Sequence, residues 1–547
     1  MNSNVPSAKS SQADIALRAV VASAIILALS GCIPGLRGSS HGNTVPDRYN
    51  VSTDPKMGTE ESDESSAQIE LHEFFGDPNL TILVDQAFVD NQELKILAED
   101  IQIASNEVYK RRGAYLPFVF FGARSGLDKP SAYSRAGAVE QNLLANGVSF
   151  PQPLPEFMIA ANISWEIDIW KKLRNAQCSA YLRYLGTAEG RNYIATRLVA
   201  EIGENYYTLL ALDKQLETLD LTISLQEKSL ATAIFFKDAG RGNELPIQRF
   251  KAEVRKNQSE KLIIAQEIIE VENKINFLVG RYPQPVDRKS SEFFDLSIHS
   301  LSAGVPSALL RNRPDIRQAE RELQASGLDV RVARARFYPS LILNAGVGYA
   351  AFDAKYLFTT PESLIYNLAG DVIAPVINRN AIKADYATAN AVQLQAIYGY
   401  QRTVLNAFTE VINRMSKVDN YGKSLEIKRK QLDALESSVD VATKLFQTAN
   451  AQYVDVLLAQ RDMQDAKMVI IETKKQQLMA VVDSYQALGG GTIPDPNTVI
   501  YTSETLEEPE MLETPEAPEA PEALPEAAAA PVAPDAIKTP EAAEDVP

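Results

Sequence analysis

Cysteine, histidine and long apolar runs are all scarce in this chain of 547 residues, and each scarcity removes a class of protein. Cys32 and Cys178 are the only cysteines. Cys32 falls in a leader motif described below, which leaves Cys178 alone and excludes an intramolecular disulfide. On a predicted helix, a lone Cys178 reads as a small apolar side chain. The three histidines, His41, His72 and His299, are scattered, so no metal spacing or Ser/His/Asp order emerges. No glycine loop is shaped for phosphate. The chain is therefore read as a non-enzyme, with no metal and no cofactor other than a covalent lipid. No stretch reaches the eighteen or more apolar residues of a membrane helix. A basic domain is also missing, and with it nucleic acid as a partner. The formal charge of −17 is concentrated at the end, where residues 501–547 hold thirteen Asp/Glu against Lys538 alone. That tail carries −12, so the other 500 residues carry only −5, ordinary for a soluble or periplasmic surface.

What is present begins with a leader. Lys9 and Arg18 precede the apolar run 19–29, followed by Ser30, Gly31 and Cys32. These are the positive, apolar and small-residue regions of a secretory signal, in order, over 1–31. "LSGC" resembles a lipobox, so Cys32 is expected to receive a diacylglycerol as the first mature residue. Ile33 stands where an aspartate would favour the inner membrane, which makes the outer membrane the expected destination. Residues 32–70, rich in Ser, Gly, Asn and acids, read as a flexible tether. At the far end, "PEAPEAPEALPEAAAAPVAP" is too rich in proline for helix and too rich in alanine for a core. The acidic segment 491–547 is expected to be a disordered tail.

Between these ends the chain repeats itself. "VYKRRGAYLPFVFFGA" (108–123) lies 222 positions before "VRVARARFYPSLILNA" (330–345), so Pro117 matches Pro339. In each, a charged helix passes at a proline into alternating apolar and polar residues, the pattern of a strand with two unlike faces. Return strands follow in "FMIAANISWEIDIW" and "SLIYNLAGDVIAPV". The expected strands are about 116–126 and 157–169 in the first repeat, and about 340–350 and 364–375 in the second. Long proline-free segments come next. Leu209, Leu212, Leu216, Leu219, Ile223, Gln226, Leu230 and Ala233 keep the four-three spacing of a coiled-coil seam. At an offset of 209, Leu425, Lys428, Leu432, Leu435, Val439, Ala442 and Phe446 repeat it. The rods turn at 238–248 and 448–456 and return, making helical hairpins over 173–280 and 379–488. The first repeat thus spans 71–282, a linker 283–303, and the second repeat 304–490.

Four strands decide the architecture. A sheet in lipid must close, because an open edge leaves backbone groups unsatisfied, and four strands cannot close. Either several chains pool their strands or the sheet lies outside the membrane. Cationic and aromatic residues at the helix-side ends of the strands favour a membrane interface: Arg112 and Tyr115; Trp165, Trp170 and Lys171; Arg336, Phe337 and Tyr338.

The motifs "GVPSALLRNRPDIRQAERELQASG" (304–327), "ARARFYPSLILNAGVGY" (333–349), "SWEIDIWKKLRN" (164–175) and "YVDVLLAQRDMQDA" (453–466) resemble the TolC family of outer-membrane factors, specifically its lipidated, NodT- and OprM-like efflux type. The resemblance covers roughly 75–490. It implies an α+β fold in which a homotrimer forms one twelve-stranded outer-membrane β-barrel, continued by a periplasmic α-helical coiled-coil barrel. It implies an exit duct for drugs or metabolites, working with a periplasmic adaptor and an inner-membrane pump, usually proton-driven. The gate is then the periplasmic tip, where Asp455 matches an aspartate that forms a ring of carboxylates constricting the pore. The chain departs from that pattern at Leu458, in place of a second aspartate, and at Ala449, Ala451 and Pro246. Two other readings stay open: the outer-membrane channel of a type I protein secretion system, and a pore-less, lipid-anchored structural or interaction protein.

Overall fold

The computed structural model describes residues 33–38, 46, 69, 71–296 except 146, and 309–490 except 376 and 449. The expected signal peptide, Cys32, most of the tether, part of the linker and the acidic tail lie outside the described residues.

Each repeat runs through the same elements. The first contains α1 (Gln92–Ala114), β1 (Phe118–Asp128), β2 (Leu154–Ile167), α2 (Lys172–Asp238) and α3 (Glu244–Val279). The second contains α4 (Pro314–Ala335), β3 (Ser340–Ala351), β4 (Leu364–Ile373), α5 (Asn380–Gln447) and α6 (Tyr453–Ala487). β1 begins two residues later than the alternation suggests, because Tyr115 ends α1 and Pro117 has no N–H to give a ladder. β2 stops at Ile167 rather than 169, because Asp168 turns to cap α2, its carboxylate accepting from the backbone N–H groups of Leu173 and Arg174 at 3.0 and 2.9 Å. No helix among the described residues is long and apolar enough to cross a membrane.

The helices form one layer. α2, 67 residues, and α5, 68 residues, run its full height, roughly 100 Å at about 1.5 Å per residue. At the strand-side end the packing order is α1, α2, α4, α5; at the other end it is α3, α2, α6, α5. The shorter helices therefore meet end to end, α1 on α3 and α4 on α6. At the first joint, Asn91 caps α1 and donates from Nδ2 to the Leu278 carbonyl at 2.7 Å, one of the unpaired carbonyls that end α3. At the second, Arg313 occupies the position just before α4, without a side-chain cap, and donates from Nη1 to the Ala487 carbonyl at 2.8 Å. Arg313 is 222 positions after Asn91, and Ala487 is 209 after Leu278, so the duplication reaches single hydrogen bonds. The chain leaves each joint through a left-handed glycine: Gly280 (φ 83°) lies against the Asp90 carbonyl and Gly489 (φ 87°) against that of Asn312. A Cβ at either would come within 2.4 or 2.7 Å of that oxygen.

The main apolar core surrounds the first joint and includes Phe74, Leu80, Ile202, Tyr206, Tyr207, Leu210, Val279 and Tyr485. Below it the leucine seam of α2 is interrupted by buried amides. Asn257 bonds Gln226 at 2.9 Å and Gln464, while Gln460 donates to Ser229 at 2.9 Å. A polar layer of this kind fixes the register of packed helices, here across both hairpins.

Candidate functional site

The four strands pair antiparallel in the order β1–β2–β3–β4. Among the described residues, nothing pairs with the free edges of β1 and β4. Directly opposed residues share a face, so the register sorts the sheet. Val119, Ile163, Ala345 and Leu368 make one row, and Phe121, Ala161, Val347 and Tyr366 the next. That face continues with Ile159, Trp165, Ile167, Leu341, Leu343, Tyr349, Leu364 and Val372 and is apolar almost throughout. The opposite face is mixed: it holds the charged and amide residues Arg124, Asp128, Glu156, Asn162, Ser164, Glu166, Asn344, Asn367 and Asp371, with glycines between them and Leu154, Met158, Ile342, Ile365 and Ile373 interspersed. Gly346 sits where a Cβ would meet the Oδ1 atoms of both Asn162 and Asn367, so these amides lean together over it. One face suits lipid and the other water. That two-faced pattern is the one a barrel strand needs between lipid and water.

Where strands meet helices, the two tryptophans act as staples. Trp165 Nε1–H donates to the Tyr115 carbonyl at 2.9 Å, and Trp170 Nε1–H to the Pro339 carbonyl at 2.7 Å. Each ties a return strand or its turn to one of the two helix-to-strand steps. Trp170 also stacks on Tyr338 with centroids 4.6 Å apart, and the Arg174 guanidinium lies 5.9 Å over the Tyr115 ring. Lys171 takes a left-handed backbone (φ 55°) before α2, and Lys172 pairs with Glu166. Arg336 pairs with Asp385 at 2.6 Å, and Arg112 is half-buried in the last turn of α1. Phe337 behaves otherwise than its place in an interface girdle suggests. It is 3% exposed and packs edge-on to Tyr386 at 5.7 Å, with Val330 and Ala333. The turn after Ala335 swings its ring onto α5, so it faces protein rather than lipid. Ile33 packs on the same cluster, and Asn390 holds Arg37 through its backbone N–H (3.0 Å) and carbonyl (3.3 Å). The peptide immediately after Cys32 is thereby moored beside the sheet.

At the opposite end lie the two hairpin turns, residues 239–243 and 448–452. Asp455 is exposed in the first turn of α6. Its carboxylate accepts from the Gln452 backbone N–H at 2.9 Å, half of a reciprocal capping box. It also lines an open groove with Ser437, Ser438, Val441, Leu445 and Asn450. Leu458 is exposed one turn on. The two hairpins touch here through Phe236 and Phe446, edge to face at 5.5 Å, and through Tyr453 and Leu457 on Ala233, Ile247 and Phe250. The first turn is braced by Lys237 and Glu244 at 2.6 Å. Pro246 falls in the first turn of α3, where a missing N–H breaks no helical bond.

Two buried charge clusters escape notice in the linear sequence, because each draws members from distant parts of it. Arg313, 3% exposed, donates to both oxygens of Asp315 at 3.0 and 2.8 Å and to Glu410 at 2.9 Å. "RPDI" thus locks the start of α4 to α5 and α6. Nearby, Asp483 pairs with Arg414 and sits beside Glu204. Burial first, then the hydrogen bond with Asp483, pushes the Glu204 carboxyl up to about 8.

Comparison with known proteins matches this architecture. The family model described as "Outer membrane efflux protein" fits residues 83–281 and 305–490. The chain is 26% identical over 420 residues to the solvent efflux pump outer membrane protein SrpC of Pseudomonas putida, covering 77% of this chain and 87% of that one. It is 24% identical over 467 residues to the cation efflux system protein CusC of Escherichia coli, covering 85% and 97%. The fold is that of the open-state MtrE outer membrane channel of Neisseria gonorrhoeae, with a TM-score of 0.72 at 20% identity over 84% of this chain and 99% of the other. With the two-faced sheet, the doubled helical hairpins and a family match across both repeats, the chain belongs to the outer membrane efflux protein family.

Proposed function

We propose that three copies of this chain close a twelve-stranded barrel in the outer membrane and a helical tunnel beneath it. The assembly serves as the exit duct of a tripartite efflux system for small molecules such as drugs or metabolites. The observation that carries this reading is the open, two-faced sheet: one face is apolar, the other holds the charged and amide residues, and both edges await strands. The helix layer is unfinished in the same way. Ile96 and Ile103 on α1, Leu262 and Phe277 on α3, and Leu405 and Ile427 on α5 are all exposed at its two margins. Different margins meeting head to tail close a ring when the rotation allows. A periplasmic adaptor and an inner-membrane pump, proton-driven in this reading, supply delivery and energy; the chain itself conducts rather than catalyses. The mooring of Ile33 and Arg37 beside the sheet supports a lipid on Cys32 that inserts next to the barrel. Arg112, Tyr115, Trp165, Trp170, Lys171, Arg336 and Tyr338 form the inner girdle at that level. Asp455, once per copy, contributes to the constriction at the tip.

The deciding measurement is the native mass of protein extracted from outer membranes in mild detergent. A trimer is expected. A monomer would leave four strands unable to close and would favour the pore-less structural reading.

A further inference from the structure

Aliphatic side chains (Leu154, Met158, Ile342, Ile365 and Ile373) are scattered over the polar face of the sheet, but its aromatic residues are gathered in one place. Phe118 pairs with Ser164 and Phe120 with Asn162, so the register puts both rings on the polar wall, not on the lipid face with Phe121. They are the only aromatic side chains on that wall among the described residues. They stack on each other, with centroids 5.9 Å apart and planes at 27°, and remain 67% and 44% exposed. A phenyl ring left in water forgoes the gain of burial, so an exposed pair on an amide-lined wall calls for an occupant. The charge of the wall indicates its sign. Asp128, Glu156, Glu166 and Asp371 face inward against the single guanidinium of Arg124, which lies 3.7 Å from Glu156. Glu166 and Asp371 flank Ile342 on the rung next to that of Phe118, nearer the helices. Lys172 neutralises Glu166, whereas Asp371 is held by the Asn344 amide at 3.0 Å.

We propose that Phe118 and Phe120, repeated around the barrel, form an aromatic collar on the lumen wall that binds passing lipophilic organic cations. The rings would take the apolar body and the face of the charge, and the carboxylate of Asp371 the remaining field. The inference deepens the duct reading and rests on it, since a lumen must exist for the collar to line.

Two measurements on the full-length protein test it. The first places the rings without requiring an open pore. Emission added by Phe120→Trp, measured against the parent protein, should be quenched by caesium in the aqueous phase and spared by brominated lipid. The reverse pattern puts the ring in lipid and overturns the collar. The second is current through the protein in a planar bilayer. Tetraphenylphosphonium should block the parent, and the Phe118→Ser/Phe120→Ser variant should need at least about tenfold more of it for equal block. Tetramethylammonium, which has no aromatic surface, should act alike on both. Equal tetraphenylphosphonium block overturns the collar and leaves the duct standing. Absence of any conductance in the parent, together with a monomeric mass, overturns the duct and the collar with it.

Discussion

The two helix joints are the same piece of backbone built with opposite chemistry. In the first repeat a neutral Asn91 bridges α1 and α3; in the second a charged Arg313 bridges α4 and α6. Both donate to the last carbonyls of the helix they meet, and both joints exit through a left-handed glycine against a backbone oxygen. The surroundings account for the difference. The first joint is enclosed by the large apolar core, where an uncompensated charge would be costly. The second has a thinner apolar cover, chiefly Leu309, Ile316, Val411 and Leu488, and Asp315 and Glu410 lie within reach of a guanidinium. A duplicated scaffold therefore conserves where a hydrogen bond is needed and leaves open which donor supplies it. The long helices diverge in the same sense. α2 buries 23 residues and α5 only six, because α2 lies inside the layer and α5 lies at its margin.

The comparison predicts unequal costs. Arg313→Ala strands Asp315 and Glu410 beside a buried joint and should cost about 3–5 kcal/mol in denaturant unfolding of the detergent-solubilised protein. Asn91→Ala removes one cap and leaves the Leu278 carbonyl unpaired, for about 1–2 kcal/mol. If the asparagine variant proves the more damaging, the contrast between the joints is wrong. Gly280→Ala and Gly489→Ala sharpen it from the other side. The backbone demand is shared, so each should cost about 1–3 kcal/mol, and the two should cost the same within error.

These roles were only half legible. The offsets of 222 and 209 locate both repeats, and the alternation locates the strands to within about three residues, because periodicity is a local property. Register is not local. Nothing in "LPFVFFGA" distinguishes the side of Phe118 and Phe120 from that of Phe121; only pairing with Ser164 and Asn162 does. "RPDI" stands out as a motif and holds the Asp315 partner of Arg313, but its other two partners lie 97 and 174 positions away. Phe337 shares the composition of a membrane girdle and yet packs on Tyr386, since an aromatic beside arginines looks the same in sequence whichever way its ring turns.

A subtler test concerns the seam between repeats, where Glu204 of α2 meets Asp483 of α6 and Arg414 of α5. Burial raises the Glu204 carboxyl from 4.5 to about 8, so as pH rises the unfolded chain releases this proton before the folded one does. The stability contributed here is complete below about pH 4.5 and declines until about pH 8. The melting temperature should therefore fall across that window, and Glu204→Gln should flatten the fall. An unchanged slope in the variant would show that the proton is held elsewhere.

The smallest effect expected on stability lies at the tips, where the halves differ again. The first turn is braced by the Lys237–Glu244 pair, the second by the capping box of Gln452 and Asp455. Asp455 then has two separable jobs. As a cap it needs only an acceptor oxygen, which asparagine also has; as a member of a constricting ring it needs its charge. Asp455→Ala should cost about 0.5–1 kcal/mol, whereas Asp455→Asn should cost almost nothing in unfolding. If three copies surround the axis, both variants should lower the cation preference of the pore in a planar bilayer by a similar amount. If preference is unchanged in Asp455→Asn, the carboxylate is a cap alone. The tip would then be closed by Phe236 on Phe446 and by the exposed Leu458, an apolar latch in place of a ring of charge.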